Sequence, residues 1–294
     1  MTGTGSPGGT GTRPSGASRS LDAPGWPPGR FSLNQWTTRY WPMPDLAVGA
    51  AAAGISGVGL WREPVAEYGL ARSAKLVREA GLRVTSLCRG GFFQAPDALD
   101  DNRRAIEEAA ELGAPALVLV SGGLPEGSRD LDGARARVAV TLAALAPYAG
   151  RYGVRLAIEP LHPMYCADRC VVSTLGQALD LAAPHPADQV GVVVDTYHLW
   201  WDPQAYAGIA RAGAEGRIAL FQVADWVTPL PAGVLTGRGM LGDGGVELRR
   251  FRTAVDEAGY DGPIEVEIFN EELWAMPGRE ALALCLERYA VHVM

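Results

Sequence analysis

From residue 30 onward, short apolar runs alternate with longer stretches in which apolar positions recur every three or four residues. The runs predict strands at 31–37, 55–61, 82–87, 116–120, 154–158, 190–194, 218–223 and 264–268. The longer stretches predict helices at 46–53, 65–80, 98–112, within 131–152, at 173–182, within 204–212, at 246–258 and near 279–291. Segment 98–112 shows the pattern well: Ile106, Ala109, Ala110 and Leu112 fall on one face, and Glu107, Glu108 and Glu111 on the other. Gly81 and Gly113 stand where helices should stop, and Ser173 where one should be capped. Strands that are apolar throughout suit a parallel sheet buried on both faces. Eight strands alternating with eight helices over about 260 residues predict an α/β fold, a single (β/α)8 TIM barrel. A doubly wound sheet is the alternative, but no Gly-x-Gly-x-x-Gly follows the first strand.

Residues 1–29 differ in kind. They are rich in Gly, Ser, Thr and Pro and carry no apolar core of the sort a secretion signal needs, so they are expected to form a disordered tail ahead of a barrel spanning 30–294. No apolar run approaches the roughly 20 residues of a membrane span.

Composition narrows the chemistry. The chain has 294 residues, a formal charge of −7 and no basic run, which argues against a nucleic-acid partner. Lys75 is the only lysine and lies in a predicted helix. Imine-forming aldolases, pyridoxal-phosphate enzymes and P-loop proteins each need a lysine in the site, so these classes are set aside. Of the four cysteines, Cys166 and Cys170 have the spacing of a metal half-site, but no second Cys/His pair completes it. Free thiols in a reducing cytoplasm are expected.

A (β/α)8 barrel builds its active site at the C-terminal ends of the strands. There the predicted strands place Glu159 (fifth), Asp195 with His198 three residues on (sixth), Gln222 and then Asp225 (seventh), and Glu265 and Glu267 (eighth). Glu63 follows the second strand and Arg89 the third. Acids and an amide oxygen converging from four consecutive strands are hard ligands, suited to Mn2+, Mg2+ or a similar divalent ion. Trp36, Trp41, Trp61, Trp200, Trp201, Trp226 and Trp274 also follow predicted strands, and an aromatic mouth suits the apolar faces of a sugar or other ring. The glycine-rich segment 237–245, which contains Arg238, reads as a flexible loop able to close over the site.

Several segments resemble the xylose-isomerase-like TIM-barrel proteins, a group of sugar and sugar-phosphate isomerases and epimerases and inosose dehydratases. They are Leu156-Ala157-Ile158-Glu159-Pro160-Leu161, Val194-Asp195-Thr196-Tyr197-His198, Phe221-Gln222-Val223-Ala224-Asp225-Trp226, Gly242-Asp243-Gly244, and Gly259-Tyr260-Asp261-Gly262 leading into Ile264-Glu265-Val266-Glu267. The resemblance covers about residues 30–290. It implies a metal held by Glu159, Asp195, Gln222 and Glu267. The chain departs at Gln222, where many relatives carry histidine; an amide oxygen still ligates, but softer metals become less favoured. Mn2+ leads, with Mg2+, Co2+ and Zn2+ as alternatives. The resemblance makes His198 a substrate contact, with His162 as a second. Glu63, Trp36, Trp61, Trp226 and Arg238 complete the expected substrate-binding set.

The implied chemistry is proton abstraction next to a carbonyl, through an enediolate, with Glu159 and Glu267 as paired acid/base groups. The substrate would be a small sugar- or polyol-like hydroxy-carbonyl compound, more in keeping with an unphosphorylated one. A lyase on a cyclic polyol or specialised metabolite shares this first step. A non-catalytic sugar-binding or partner barrel is a further reading. A phosphodiesterase would need more than four histidines and a basic groove. A homodimer is left open, and a cytoplasmic location is expected.

Overall fold

A computed structural model describes residues 30–294. The expected tail, and Trp26 within it, lie outside the described residues. The strands are β1 Phe31–Asn34, β2 Gly57–Trp61, β3 Arg83–Gly91, β4 Ala116–Val120, β5 Arg155–Ile158, β6 Val190–Asp195, β7 Ile218–Val223, β8 Asp225–Trp226, β9 Arg238–Gly239 and β10 Ile264–Val266. Eight of them close in parallel in the order β1-β10-β7-β6-β5-β4-β3-β2, the TIM barrel that the alternation predicts. β8 and β9 form a small antiparallel pair in the excursion after β7, which the periodicity does not reveal.

Alternation along each strand sorts the core into two shells. Leu117, Leu119, Leu156, Val192, Val194 and Phe221 pack outward against the helices. Ala116, Val118, Ala157, Val193 and Leu220 point into the barrel. The interior is not wholly apolar. Ser32, Asn34, Thr85, Ser86, Asp195, Gln222, Glu265 and Glu267 are all buried. Gly59 leaves room for this polar layer, since a Cβ there would lie 2.5 Å from the Glu265 carboxylate.

Element boundaries differ from expectation where side chains or glycines intervene. The first strand stops at Asn34 because its Oδ1 accepts the Trp36 N–H and turns 35–38 into a 3-10 helix. The third strand runs on to Gly91 and so takes in Arg89. The 65–80 helix is two helices, Arg62–Tyr68 and Leu70–Glu79, broken at Gly69 with φ 102°. Thr174, not Ser173, caps helix Leu175–Ala182: its hydroxyl accepts the Gln177 N–H while Gln177 Oε1 accepts the Ser173 N–H. The lone Lys75 is exposed on its helix, 3.7 Å from Glu79. No helix among the described residues is long and apolar enough to cross a membrane.

Candidate active site

Strand register sets the acid cluster. Asp195 on β6 pairs with Gln222 on β7, and Gln222 with Glu265 on β10, so these three share one level of the barrel. Glu159 follows β5, and Glu267 stands two residues beyond Glu265. Glu159, Asp195, Glu265 and Glu267 are all at least 95% buried.

Glu265 lies deepest and is saturated with donors. Asn34 Nδ2 donates to it at 2.7 Å, Thr85 Oγ1 at 2.7 Å, Ser86 Oγ at 2.9 Å and Gln222 Nε2 at 3.0 Å. Gln222 therefore turns its amide nitrogen to Glu265, and its Oε1, also buried, accepts nothing. Glu159 Oε1 is likewise buried without a donor.

Arg238 supplies the positive charge. It leaves β9 with its backbone held by Phe269 O and Asn270 Nδ2. Nη1 donates to Glu267 Oε2 at 2.9 Å and Asp195 Oδ2 at 3.2 Å. The guanidinium lies between the rings of Phe269 and Tyr197, 4.5 and 4.9 Å from their centroids. One guanidinium among four buried carboxylates leaves an excess of negative charge, and desolvation makes such an excess costly. Burial, with Glu267 and Asp195 adding to it, pushes the Glu159 pKa well above the usual carboxylate range. Burial raises Glu267 to about 8, against the pull of Arg238 and with Asp195 and Glu265 reinforcing it.

His198 is fully buried and neutral, because burial first and Arg238 second drive its pKa well below 6.5. Both ring nitrogens face donors: the His162 N–H donates to Nδ1 at 3.2 Å, and Arg238 Nη2 lies 3.3 Å from Nε2. Nε2 faces Asp195 Oδ2 and Glu159 Oε1 at 3.9 and 4.0 Å. Ligand atoms of Glu159, Asp195 and His198 all lie within 4.8 Å of one another, a grouping able to hold a metal ion.

The pocket over the cluster is walled by Trp61, Val118, Leu161, Leu235 and Phe269, and Glu159, His198, Arg238 and Glu267 reach into it. Other expected residues stand back from it. Trp36 stacks behind Trp61 at 4.3 Å. His162 stacks on Trp226 at 4.8 Å, and Trp226 is itself packed by Tyr197 and Trp200. Glu63 is largely exposed, 3.9 Å from Arg89. Asp225 builds a loop: its carboxylate accepts the N–H groups of Trp226, Gly242, Gly244 and Val246. The glycine-rich segment is thereby pinned, in contrast to the free loop expected from its composition. Asn34, Tyr165, Arg169 and Leu235 are site residues that strand-end reasoning does not reach, whereas Cys88 and Phe269 directly follow the third and eighth predicted strands and carry no charge to single them out. The polarity of Asn34 inside an apolar run is a usable signal.

The described chain matches the model of the xylose isomerase-like TIM barrel over residues 49–287. The chain belongs to this family. Among curated members, it is 28% identical to an inosose isomerase of Halalkalibacterium halodurans over 48% of this chain and 49% of the relative. It is 31% identical to a 3-dehydroshikimate dehydratase of Pseudomonas aeruginosa over 81% of this chain and 38% of the relative. The chain thus spans half or less of the length of these relatives. Two crystal structures are also similar. Protein SMc04130 of Sinorhizobium meliloti 1021 is 47% identical, with TM-score 0.86 over 90% of this chain and 98% of that one. The IolI protein with a bound zinc atom shares the fold at 22% identity, TM-score 0.75, over 90% and 98%. Within the family, the Asp195 and Glu267 carboxylates of this member meet on a buried arginine, Glu159 stands 4.0 Å from His198, and Gln222 pairs with Asp195 across the sheet.

Proposed function

We propose that this family member is a divalent-metal-dependent isomerase or epimerase acting on a sugar- or polyol-like hydroxy-carbonyl compound. One observation carries the reading: two buried glutamates, Glu159 and Glu267, reach into one apolar-walled pocket, where burial pushes Glu159 well above the usual carboxylate range and Glu267 to about 8. Such groups are suited to removing a proton from carbon and returning it.

The donor set fits a divalent cation. It consists of oxygens, it is anionic in excess of Arg238, and two of its buried oxygens, Glu159 Oε1 and Gln222 Oε1, have no hydrogen-bond donor. Glu159, Asp195, Gln222 and Glu267 would hold the ion. When bound, a divalent ion polarises a substrate carbonyl and stabilises the charge that develops on its oxygen. Hard oxygen ligands favour Mn2+ or Mg2+; the zinc in the IolI structure supports a divalent ion of some kind.

The chain's own groups do the rest. His198 reaches into the pocket to contact a substrate oxygen. Glu267 and Glu159, just after β10 and β5, take up and return the proton; return to the same carbon epimerises and return to the neighbouring carbon isomerises. Trp61, Leu161 and Phe269 exclude water from the exchanging proton. Metal analysis with and without chelator, and deuterium wash-in from 2H2O by NMR across a ketose and cyclic-polyol-ketone panel, test the reading. Glu159→Gln and Glu267→Gln should each slow exchange by about 10²–10⁴-fold. Near-wild-type exchange in both variants would sink the assignment.

A dehydratase reading is favoured by the similarity to the P. aeruginosa enzyme across most of this chain. It shares the proton abstraction and differs in expelling a β-hydroxyl, so an ultraviolet-absorbing conjugated product separates the two. A non-catalytic barrel would show neither exchange nor product.

A further inference from the structure

Toward its mouth, the pocket changes character. Arg89 from β3 and Arg169 from the loop after β5 both line it, beside Phe92 and Tyr165. Neither arginine has a close acid. Arg89 Nη2 is 3.9 Å from Glu63 Oε1, and the Glu63 side chain is 58% exposed. Arg169 Nε is 3.5 Å from Asp168 Oδ2, which is exposed as well. A charge-assisted hydrogen bond runs to about 2.7–2.9 Å. Nearby Arg62 shows the contrast: it is saturated by Glu108 at 2.6 Å and Asp101 at 3.0 Å, and it is absent from the pocket lining.

Arg89 is held in place all the same. Its guanidinium lies 4.3 Å from the Phe92 centroid and 5.9 Å from that of Trp61. Burial works against its charge, and neighbouring Arg169 and Arg62 add to that, with Glu63 opposing them. A half-buried cation, fixed by aromatic rings and sharing its pocket with a second cation, is completed by an anion.

We propose that the substrate carries one carboxylate, bound by Arg89 and Arg169 at the mouth, while its hydroxy-carbonyl part reaches the acid cluster below. The proposal rests on the enzymatic reading above and names its substrate class. A phosphate would meet the same two guanidiniums, but phosphate sites also recruit backbone N–H groups from helix N-termini or glycine-rich loops. Here the N–H groups of Gly242, Gly244 and Val246 are already taken by Asp225. A planar, singly charged carboxylate suits two guanidinium forks.

Calorimetric titration of the full chain, with and without Mn2+, tests this. The probes are quinate (a cyclohexane polyol with one carboxylate), neutral myo-inositol and myo-inositol 1-phosphate. Quinate should bind at least about tenfold more tightly than myo-inositol. That preference should shrink as salt rises, a wild-type readout that needs no variant. Arg89→Gln and Arg169→Gln should each remove most of the preference while leaving myo-inositol affinity within about twofold, and Arg89→Lys should restore part of it. Equal affinity for quinate and myo-inositol overturns the proposal, as does equal loss for both in the variants. Tighter binding of the phosphate overturns the carboxylate assignment. If myo-inositol binds in a Glu267-dependent way without any carboxylate preference, this proposal alone fails. If no polyol binds at all, the enzymatic reading fails with it.

Discussion

Glu267 is balanced between opposing neighbours. Asn34 Nδ2 donates to its Oε1 at 3.0 Å and Arg238 Nη1 to its Oε2 at 2.9 Å, yet burial prevails and sets its pKa near 8. The consequence for stability has a definite sign. Between its ordinary value near 4.5 and about 8, the folded protein keeps a proton that the unfolded chain has released. Stability from this group therefore falls as pH rises through that window. In chelated protein, the melting temperature of Glu267→Gln relative to wild type should rise between pH 5 and pH 8; a flat difference would contradict the assignment. Arg238 supports the opposite test. Arg238→Gln strands Asp195 and Glu267 without their shared cation, at a cost of about 3–5 kcal/mol in chelated protein. Denaturant melts would show this, and a loss below about 1 kcal/mol would mean that the acids are neutralised in another way.

At the scale of elements, small local contacts decide boundaries that periodicity leaves loose. The helix Leu175–Ala182 is one case. Thr174→Ala should destabilise by about 1 kcal/mol, since the hydroxyl satisfies the Gln177 N–H. Ser173→Ala should be close to neutral, because that buried hydroxyl has no partner. Chemical denaturation of the two variants distinguishes them, and reversed effects would mean that the cap lies at Ser173. The extension of β3 to Gly91 matters more for the site. Gly91 adopts φ 103°, and a Cβ there would lie 1.9 Å from Val120 O, so only glycine lets β3 run close to β4. That run carries Arg89 to the pocket wall, the side on which its position after the third predicted strand put it, but as part of the strand rather than of the following loop.

At the scale of the whole molecule, closure of the barrel gathers four carboxylates against one guanidinium. A ligand that binds only the folded state adds RT ln(1 + [L]/Kd) to its stability, about 2.7 kcal/mol at a hundredfold excess over Kd. Mn2+ should therefore raise the melting temperature of chelated protein in a concentration-dependent way. The rise should be lost in Asp195→Asn. A rise of equal size in that variant would place the ion elsewhere.

The chain's own pattern was enough for the barrel and for much of the acid set. Continuous apolar strands can be buried only in a sheet covered on both faces, and strand-end position alone points Glu159, Asp195 and Glu267 toward one mouth. Tertiary structure decided the rest. Asn34 reaches Glu265 across 231 positions of sequence because β1 closes on β10. Gln222 is left with its oxygen rather than its nitrogen unpartnered because Glu265 takes the amide N–H. Arg238 enters the cluster because Asp225 folds the glycine-rich excursion back and residues 269–270 hold its backbone. Trp36 and Trp226, which follow strands as Trp61 does, are drawn instead into stacks behind the wall. Periodicity reports which face of an element is buried; only closure and loop packing set which side chains meet across it.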